Sequence, residues 1–323
     1  MENQEKINLY EKFDETTLEK LLLLSQKYEA VGQDLKTHLE GMLYANHLTY
    51  WHYINLDALL SLQIPRTSFP DEMVFIVYHQ ITELYFKLII NDIQQICQKE
   101  DSCDAQLYLR NLKRVNGYLR NLISSFDVVM ANMDKEQFLK FRLALVPASG
   151  FQSVQYRIIE ILSTDFKNLV APVHRPFITR DTTIEEMFPK VYWKQGAIEK
   201  ETGKKTLTLE MFEEKYGKIL LYTAREYRNK NLLILFENFI KEKSPLEKEI
   251  VEQMRLFDTL MNVDWPLVHY RSAVKYLKKK EETTTIPSTG GTNWQKYLPP
   301  RYQLNIFFPE LWSDEELKNW GKG

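Results

Sequence analysis

Cysteine is nearly missing from this 323-residue chain: Cys97 and Cys103 are the only two, too few for a disulfide framework. Neither belongs to a Cys-x-x-Cys-His pattern, which excludes haem attached covalently through that motif. An excess of charge of one sign is missing too. The 42 Lys and Arg against 44 Asp and Glu leave −2, so nothing in the balance calls for nucleic acid or an anionic membrane as partner. No run approaches the roughly 18 consecutive apolar residues of a membrane helix, and the opening Met1 to Lys6 lacks the apolar core of a secretion signal. A cytoplasmic location is expected. Helix breakers are absent where they would matter most: there is no proline between residues 71 and 146, and Gly117 is the sole glycine between 42 and 149. What the chain has in quantity is aromatic residues, 18 Tyr, 17 Phe and 6 Trp, enough to build a core and also to surround a flat apolar ligand.

The breaker-free region opens with Pro70 followed by Asp71 and Glu72, a helix-start pattern, so a helix is expected from about Asp71. Within it His79 shares a face with Phe75, Thr82, Glu83 and Phe86 by helical spacing. Taken alone, a histidine among phenylalanines is more often a core or half-buried residue satisfied by one hydrogen bond. In the next helix Leu112, Val115, Leu119, Leu122, Phe126, Val129 and Met133 recur at alternating steps of three and four, a seam that packs lengthwise against another helix.

Further along, Phe138-Leu-Lys-Phe-Arg142-Leu-Ala-Leu-Val-Pro147-Ala-Ser149-Gly150-Phe151-Gln-Ser-Val-Gln-Tyr156-Arg157 places Arg142 near a helix end and Ser149 on a loop. Arg142 alone is equally a surface ion pair. Residues 163–205 hold Pro172, Pro176 and Pro189 and read as an irregular excursion, with a short strand expected at Lys205 to Leu209 and intermittent helix through Lys243. Ser244 and Glu247 suggest a capping box for a helix from Pro245 to about Asp264. Then comes Trp265-Pro266-Leu-Val-His269, where Pro266 predicts a kink or a restart three residues before the histidine. The hydroxyl-rich Glu281 to Asn293 reads as a flexible loop.

These motifs, in this order, resemble the tryptophan 2,3-dioxygenase family: Phe75-Ile-Val-Tyr-His79-Gln, Tyr50-x-x-Tyr53-Ile54, the Arg142 to Arg157 stretch, Trp265 four residues before His269, and Thr289-Gly-Gly, followed by Phe307-Phe-Pro-Glu-Leu-Trp312. The resemblance spans roughly residues 44–312. It implies an all-α helical bundle with a small helical excursion, assembled as an intertwined homotetramer, a dimer of dimers. The expected organisation is an N-terminal helical arm (1–43), the first part of the haem and substrate core (44–162), a variable excursion (163–243), and a final core segment carrying the haem ligand and a substrate-closing loop (244–323).

The activity implied is insertion of both atoms of O2 into the indole C2–C3 bond of L-tryptophan to give N-formyl-L-kynurenine, the first step of the kynurenine pathway. The cofactor implied is non-covalent haem b, ferrous when active, with His269 as proximal iron ligand and Trp265, Ser149 and Gly150 also at the cofactor. For the substrate the resemblance implies His79 as the group that orients the indole N–H, Phe75 and Phe138 as walls, Arg142 on the carboxylate, Thr289 on the ammonium, and Tyr50, Tyr53 and Ile54 reaching in from a neighbouring subunit. Phe138 stands where some members carry tyrosine. A planar guanidinium suits a carboxylate because two parallel N–H bonds fix its position and orientation. Two other classes fit parts of the pattern: a related haem enzyme acting on another indole or aromatic amino acid, and a non-catalytic haem-binding helical protein.

Overall fold

The computed structural model of the chain describes residues 13–98, 103–198, 203–277 and 299–322. Its secondary structure is helical; among the described residues β pairing is limited to the isolated bridges Val170 with Val191 and Ile198 with Lys205. The chain divides into two compact units, residues 1–62 and 63–323.

The first unit holds α1 (Glu15–Glu29), α2 (Leu35–Tyr44), and the short α3 (Tyr50–Tyr53) and α4 (Leu56–Leu60). Asp14 caps α1 through the Thr17 N–H, and Asp34 caps α2 through the Lys36 and Thr37 N–H groups. Neither helix buries a residue, and Leu22, Leu23, Met42, Leu43 and Tyr44 are exposed.

The second unit is built on α5 (Pro70–Cys97) and α6 (Ala105–Asn132), which pack along one another. Pro70 is the first residue of α5, where its missing N–H costs nothing. Glu72 in the first turn accepts from the Arg66 and Thr67 N–H groups, both at 2.8 Å, folding the incoming chain onto the helix start. Asp104 caps α6 through Gln106 N–H at 2.9 Å. Leu112, Val115, Leu119 and Leu122 of the expected seam are fully buried and Phe126 and Met133 nearly so.

By length and hydropathy α5 is one helix that would suffice to cross a bilayer. Yet Tyr78, Phe86, Ile89, Ile93 and Ile96 pack into the protein core, and Glu72 and Asp92 are buried with them. The other side of the helix carries exposed Val74, Val77, Ile81, Leu84 and Leu88.

After α7 (Lys135–Phe141) the chain tightens into a 3₁₀ turn at Arg142–Leu145, crosses a second at Gly150–Gln152, and enters α8 (Val154–Ser163), which packs on α5. Between residues 163 and 205 the chain is irregular, as expected there: 3₁₀ turns and the short α9 (Ile184–Met187) and α10 (Tyr192–Gln195) lead to α11 (Leu207–Glu226) and α12 (Leu232–Leu235), which continues as a π turn to Ile240. The strand expected at Lys205 to Leu209 is not formed. Thr206 instead caps α11 through Leu209 N–H, and a threonine that satisfies an N-terminal N–H starts a helix more readily than a lone alternating run makes a strand.

Next come α13 (Glu247–Thr259), a π turn at Leu260–Asp264 and α14 (Trp265–Leu277), running without a break. The expected capping box does not form: Ser244 Oγ accepts from Leu246 N–H, while the Glu247 carboxylate accepts from Glu242 N–H at 2.9 Å. Glu242 has φ of 59°, and that left-handed turn brings its N–H to Glu247. Pro266 is the second residue of α14, so the α-helix restarts there after the π turn. The π turn immediately before it absorbs the missing donor. The short α15 (Pro300–Gln303) and α16 (Asp314–Lys318) close the described chain.

Candidate active site

Two histidines on two core helices are the candidate site residues, and each is fixed in the same way. His79 Nδ1 lies 2.7 Å from the Phe75 carbonyl, and His269 Nδ1 lies 2.9 Å from the Trp265 carbonyl, each one turn back on its own helix. A carbonyl only accepts, so both Nδ1 atoms carry the proton, and in the neutral ring the Nε2 lone pair is left to accept a hydrogen bond or bind a metal.

His269 is enclosed by aromatic rings. Trp265 packs edge-on at 4.3 Å between centroids and Phe126 of α6 lies at 4.5 Å. Phe86 of α5 meets Trp265 at 6.0 Å, and Tyr78 meets Phe126 at 5.6 Å. Loss of hydration pushes the His269 pKa down to about 4; the Trp265 carbonyl opposes this, and the proximity of His79 lowers it further. The ring is therefore neutral near pH 7.

His79 sits in a mixed setting. Phe75 lies 4.0 Å away, and Phe75 also meets Phe138 at 6.1 Å and Phe141 at 5.7 Å. The His79 side chain is exposed to solvent. Its pKa falls through lost hydration, against the opposing pull of the Phe75 carbonyl and the Glu83 carboxylate. Glu83 is held by Gln155 of α8, whose Nε2 lies 2.8 Å from both its carboxylate and its carbonyl.

Arg142 follows Phe141 at the end of α7 and is only 5 % exposed. Burial lowers the pKa of its guanidinium. Phe138, Phe141 and Arg142 thus come from the same helix end, close to Phe75 on α5. Phe138 also touches Tyr276 of α14 at 4.8 Å, so α14 carries one residue on each aromatic cluster. The Tyr276 hydroxyl donates to the carbonyls of Met130 and Met133 and fastens that end of α14 to α6.

Ser149 caps the Gly150–Gln152 turn: its Oγ accepts from Phe151 N–H at 3.3 Å, and Gln152 reaches back to the Ser149 N–H. Ser149 and Gly150 lie on the loop between α7 and α8. Tyr50, Tyr53 and Ile54 belong to the first unit, where both tyrosines are exposed, 69 % and 73 %. Thr289 and the loop around it lie outside the described residues.

The helix that leads into α14 is anchored by the C-terminal strip of the chain. Asp258 of α13, fully buried, accepts from Phe307 N–H at 2.9 Å, Phe308 N–H at 3.1 Å, Asn262 at 2.8 Å and the Trp312 indole at 3.0 Å. Burial pushes its pKa up to about 6 against those four donors. Arg157, buried within α8, pairs with Glu160 at 2.9 Å and with the Tyr192 hydroxyl at 3.0 Å.

Phe126 and Tyr276 touch the candidate residues His269 and Phe138, and sequence reasoning did not place them there. Phe126 was read as part of the packing seam alone, and Tyr276, seven residues after His269 and so on its face, offered the spacing that identifies it. No signal pointed to Asp258, three of whose four donors lie about fifty residues away.

A bare metal ion has no ready site here, because among the described residues no three His, Cys, Asp or Glu side chains converge. A single neutral imidazole in an aromatic setting suits an iron whose other ligands would come from a macrocycle, so His269 fits a haem.

Comparison with known proteins agrees. The model of the family described as tryptophan 2,3-dioxygenase matches residues 39–187. The tryptophan 2,3-dioxygenase of Herpetosiphon aurantiacus is 27% identical over 278 residues, covering 82% of this chain and 96% of that protein. The one from Bradyrhizobium diazoefficiens is 26% identical over 296 residues, covering 90% and 98%. That of Anaeromyxobacter sp. strain K is 40% identical over 126 residues, 39% of this chain, and the match spans about half of that relative, 47%.

Proposed function

We propose that the chain, which is similar to tryptophan 2,3-dioxygenases over most of its length, is itself one and inserts both atoms of O2 across the indole C2–C3 bond of L-tryptophan, giving N-formyl-L-kynurenine. The observation that carries this reading is the pair of histidines, each with Nδ1 committed to its own helix and Nε2 left for other work, inside adjoining aromatic clusters. Haem b, bound non-covalently and ferrous when active, would supply the activation of dioxygen.

In this reading His269 Nε2 binds the iron. The Nδ1–H bond to the Trp265 carbonyl fixes the tautomer and turns the ring, and the Trp265 and Phe126 rings hold it against rotation. Ser149 and Gly150 border the cofactor from the α7–α8 loop.

His79, neutral at Nε2, accepts the indole N–H and orients the ring; indole is so weak an acid that full proton transfer is not required of it. Phe75 and Phe138 exclude water beside it. Arg142 takes the substrate carboxylate: a desolvated guanidinium gains more from an incoming anion than a hydrated one. Thr289 takes the ammonium. Together these two groups select a free amino acid over a decarboxylated indole.

Tyr50, Tyr53 and Ile54 complete the pocket of a neighbouring subunit in a homotetramer, a dimer of dimers. The exposed apolar residues of α1 and α2, of α3 and of the outer side of α5 support that assembly, since so much apolar surface is unusual on a monomer. A cytoplasmic enzyme without nucleic-acid or membrane partners fits the near-neutral charge. The test is to supply reduced, haem-loaded protein with L-tryptophan and ¹⁸O-labelled dioxygen and follow product by mass spectrometry. Product with the mass of N-formylkynurenine and two labelled oxygens supports the reading; bound haem without that product overturns it.

A further inference from the structure

Pro266 leaves a gap in the backbone hydrogen bonding just ahead of His269. In an α turn the Met261 carbonyl would accept from Trp265 N–H, but within the π turn that N–H goes to Leu260. In a π turn the donor to Met261 would be the N–H of residue 266, and proline has none. The donor comes instead from another helix: the Tyr156 hydroxyl of α8 lies 3.2 Å from the Met261 carbonyl. The Tyr156 ring also meets Phe86 edge-on at 5.6 Å, and Phe86 in turn meets Trp265. Trp265 supplies the carbonyl that holds the His269 ring.

We propose that Tyr156 is a positioning residue for His269: its hydroxyl replaces the N–H that Pro266 lacks, and so fixes the helical turn from which the Trp265 carbonyl aims the imidazole. This rests on the reading of His269 as the iron ligand, but the hydroxyl-to-carbonyl link stands apart from it. A buried carbonyl without a donor destabilises the turn around it. The turn in question is the one that sets the depth and tilt of Trp265 and, one turn later, of His269. Restoring an N–H at position 266 makes the hydroxyl dispensable.

The test is a double-substitution cycle with Tyr156→Phe and Pro266→Ala, each variant examined by urea unfolding of the haem-free protein and, once loaded, by the rate of haem release and the iron–histidine stretching band of the ferrous form. Tyr156→Phe removes the oxygen and keeps the ring. It is expected to lower the unfolding midpoint, speed haem release about tenfold, as loss of one buried hydrogen bond implies, and shift or broaden the stretching band. In the Pro266→Ala background the same change should leave all three readouts nearly where Pro266→Ala puts them. Equal effects in both backgrounds would overturn the link. A coupled unfolding midpoint with an unmoved stretching band would overturn the positioning role, leaving a purely structural bond. Should His269→Ala retain haem with an unchanged spectrum, the ligand assignment fails, and the haem-free cycle still decides whether hydroxyl and proline are coupled.

Discussion

His79 and His269 make the same local hydrogen bond and are set up for different work by everything around it. Both pass the Nδ1 proton to a carbonyl one turn back. His79 does so on a 28-residue α helix, with Glu83 one turn ahead and an edge open to an incoming molecule. His269 does so just after a π turn and a proline, packed between Trp265 and Phe126. A tautomer is thus a cheap local device, and in the proposed reading what selects between accepting a hydrogen bond from a substrate and binding a metal is the second layer: a charged neighbour with access in one case, apolar enclosure in the other.

The comparison breaks most completely at the metal. His269→Ala should abolish stoichiometric haem binding, read as loss of the haem absorbance on titration, whereas His79→Ala should load normally. Equal loss in both would show that the histidines are not differentiated.

The next effect is one of pH. The unfolded chain protonates His269 near 6.5, the folded chain only near 4. As pH falls below 6.5 the unfolded state takes up the proton first, so stability present above 6.5 is lost on the way to 4, in all about 3 kcal/mol. Urea unfolding of the haem-free protein between pH 7 and 4.5 measures this, and His269→Gln should flatten the profile.

Arg142→Ala sharpens the substrate side: KM for L-tryptophan should rise by the equivalent of about 1.5–3 kcal/mol with haem content unchanged. An unchanged KM would remove Arg142 from the carboxylate role. The smallest effect belongs to His79→Phe. An orienting hydrogen bond of about 1 kcal/mol predicts a drop of about fivefold in kcat/KM, checked by steady-state rates. A loss of a thousandfold would instead make His79 an obligatory base.

Much of this was written in the order of residues. Pro70, Asp71 and Glu72 announce α5, the three-and-four spacing from Leu112 to Met133 announces α6, and the spacing of Trp265 and His269 places one ring a turn from the other. What was illegible depends on partners far away in sequence. The strand expected at Lys205 lost to a threonine cap, and Ser244 and Glu247 lost their box to a left-handed turn at Glu242. Pro266 looked like a break because its compensating donor, Tyr156, is more than a hundred residues earlier. Local pattern reports what a residue prefers; whether the preference is met is decided by whichever group the fold brings alongside.

Asp258 adds a matter of timing. Three of its four donors, Phe307, Phe308 and Trp312, leave the ribosome only after all of α13 and α14 have been made. Until then the carboxylate has Asn262 alone, and burying it so poorly supplied is unfavourable. α13, and with it the start of the helix that bears His269, therefore has reason to stay loosely docked during synthesis and to lock only when the later strip of chain arrives, which makes completion of the face that carries His269 a late event in the life of each molecule.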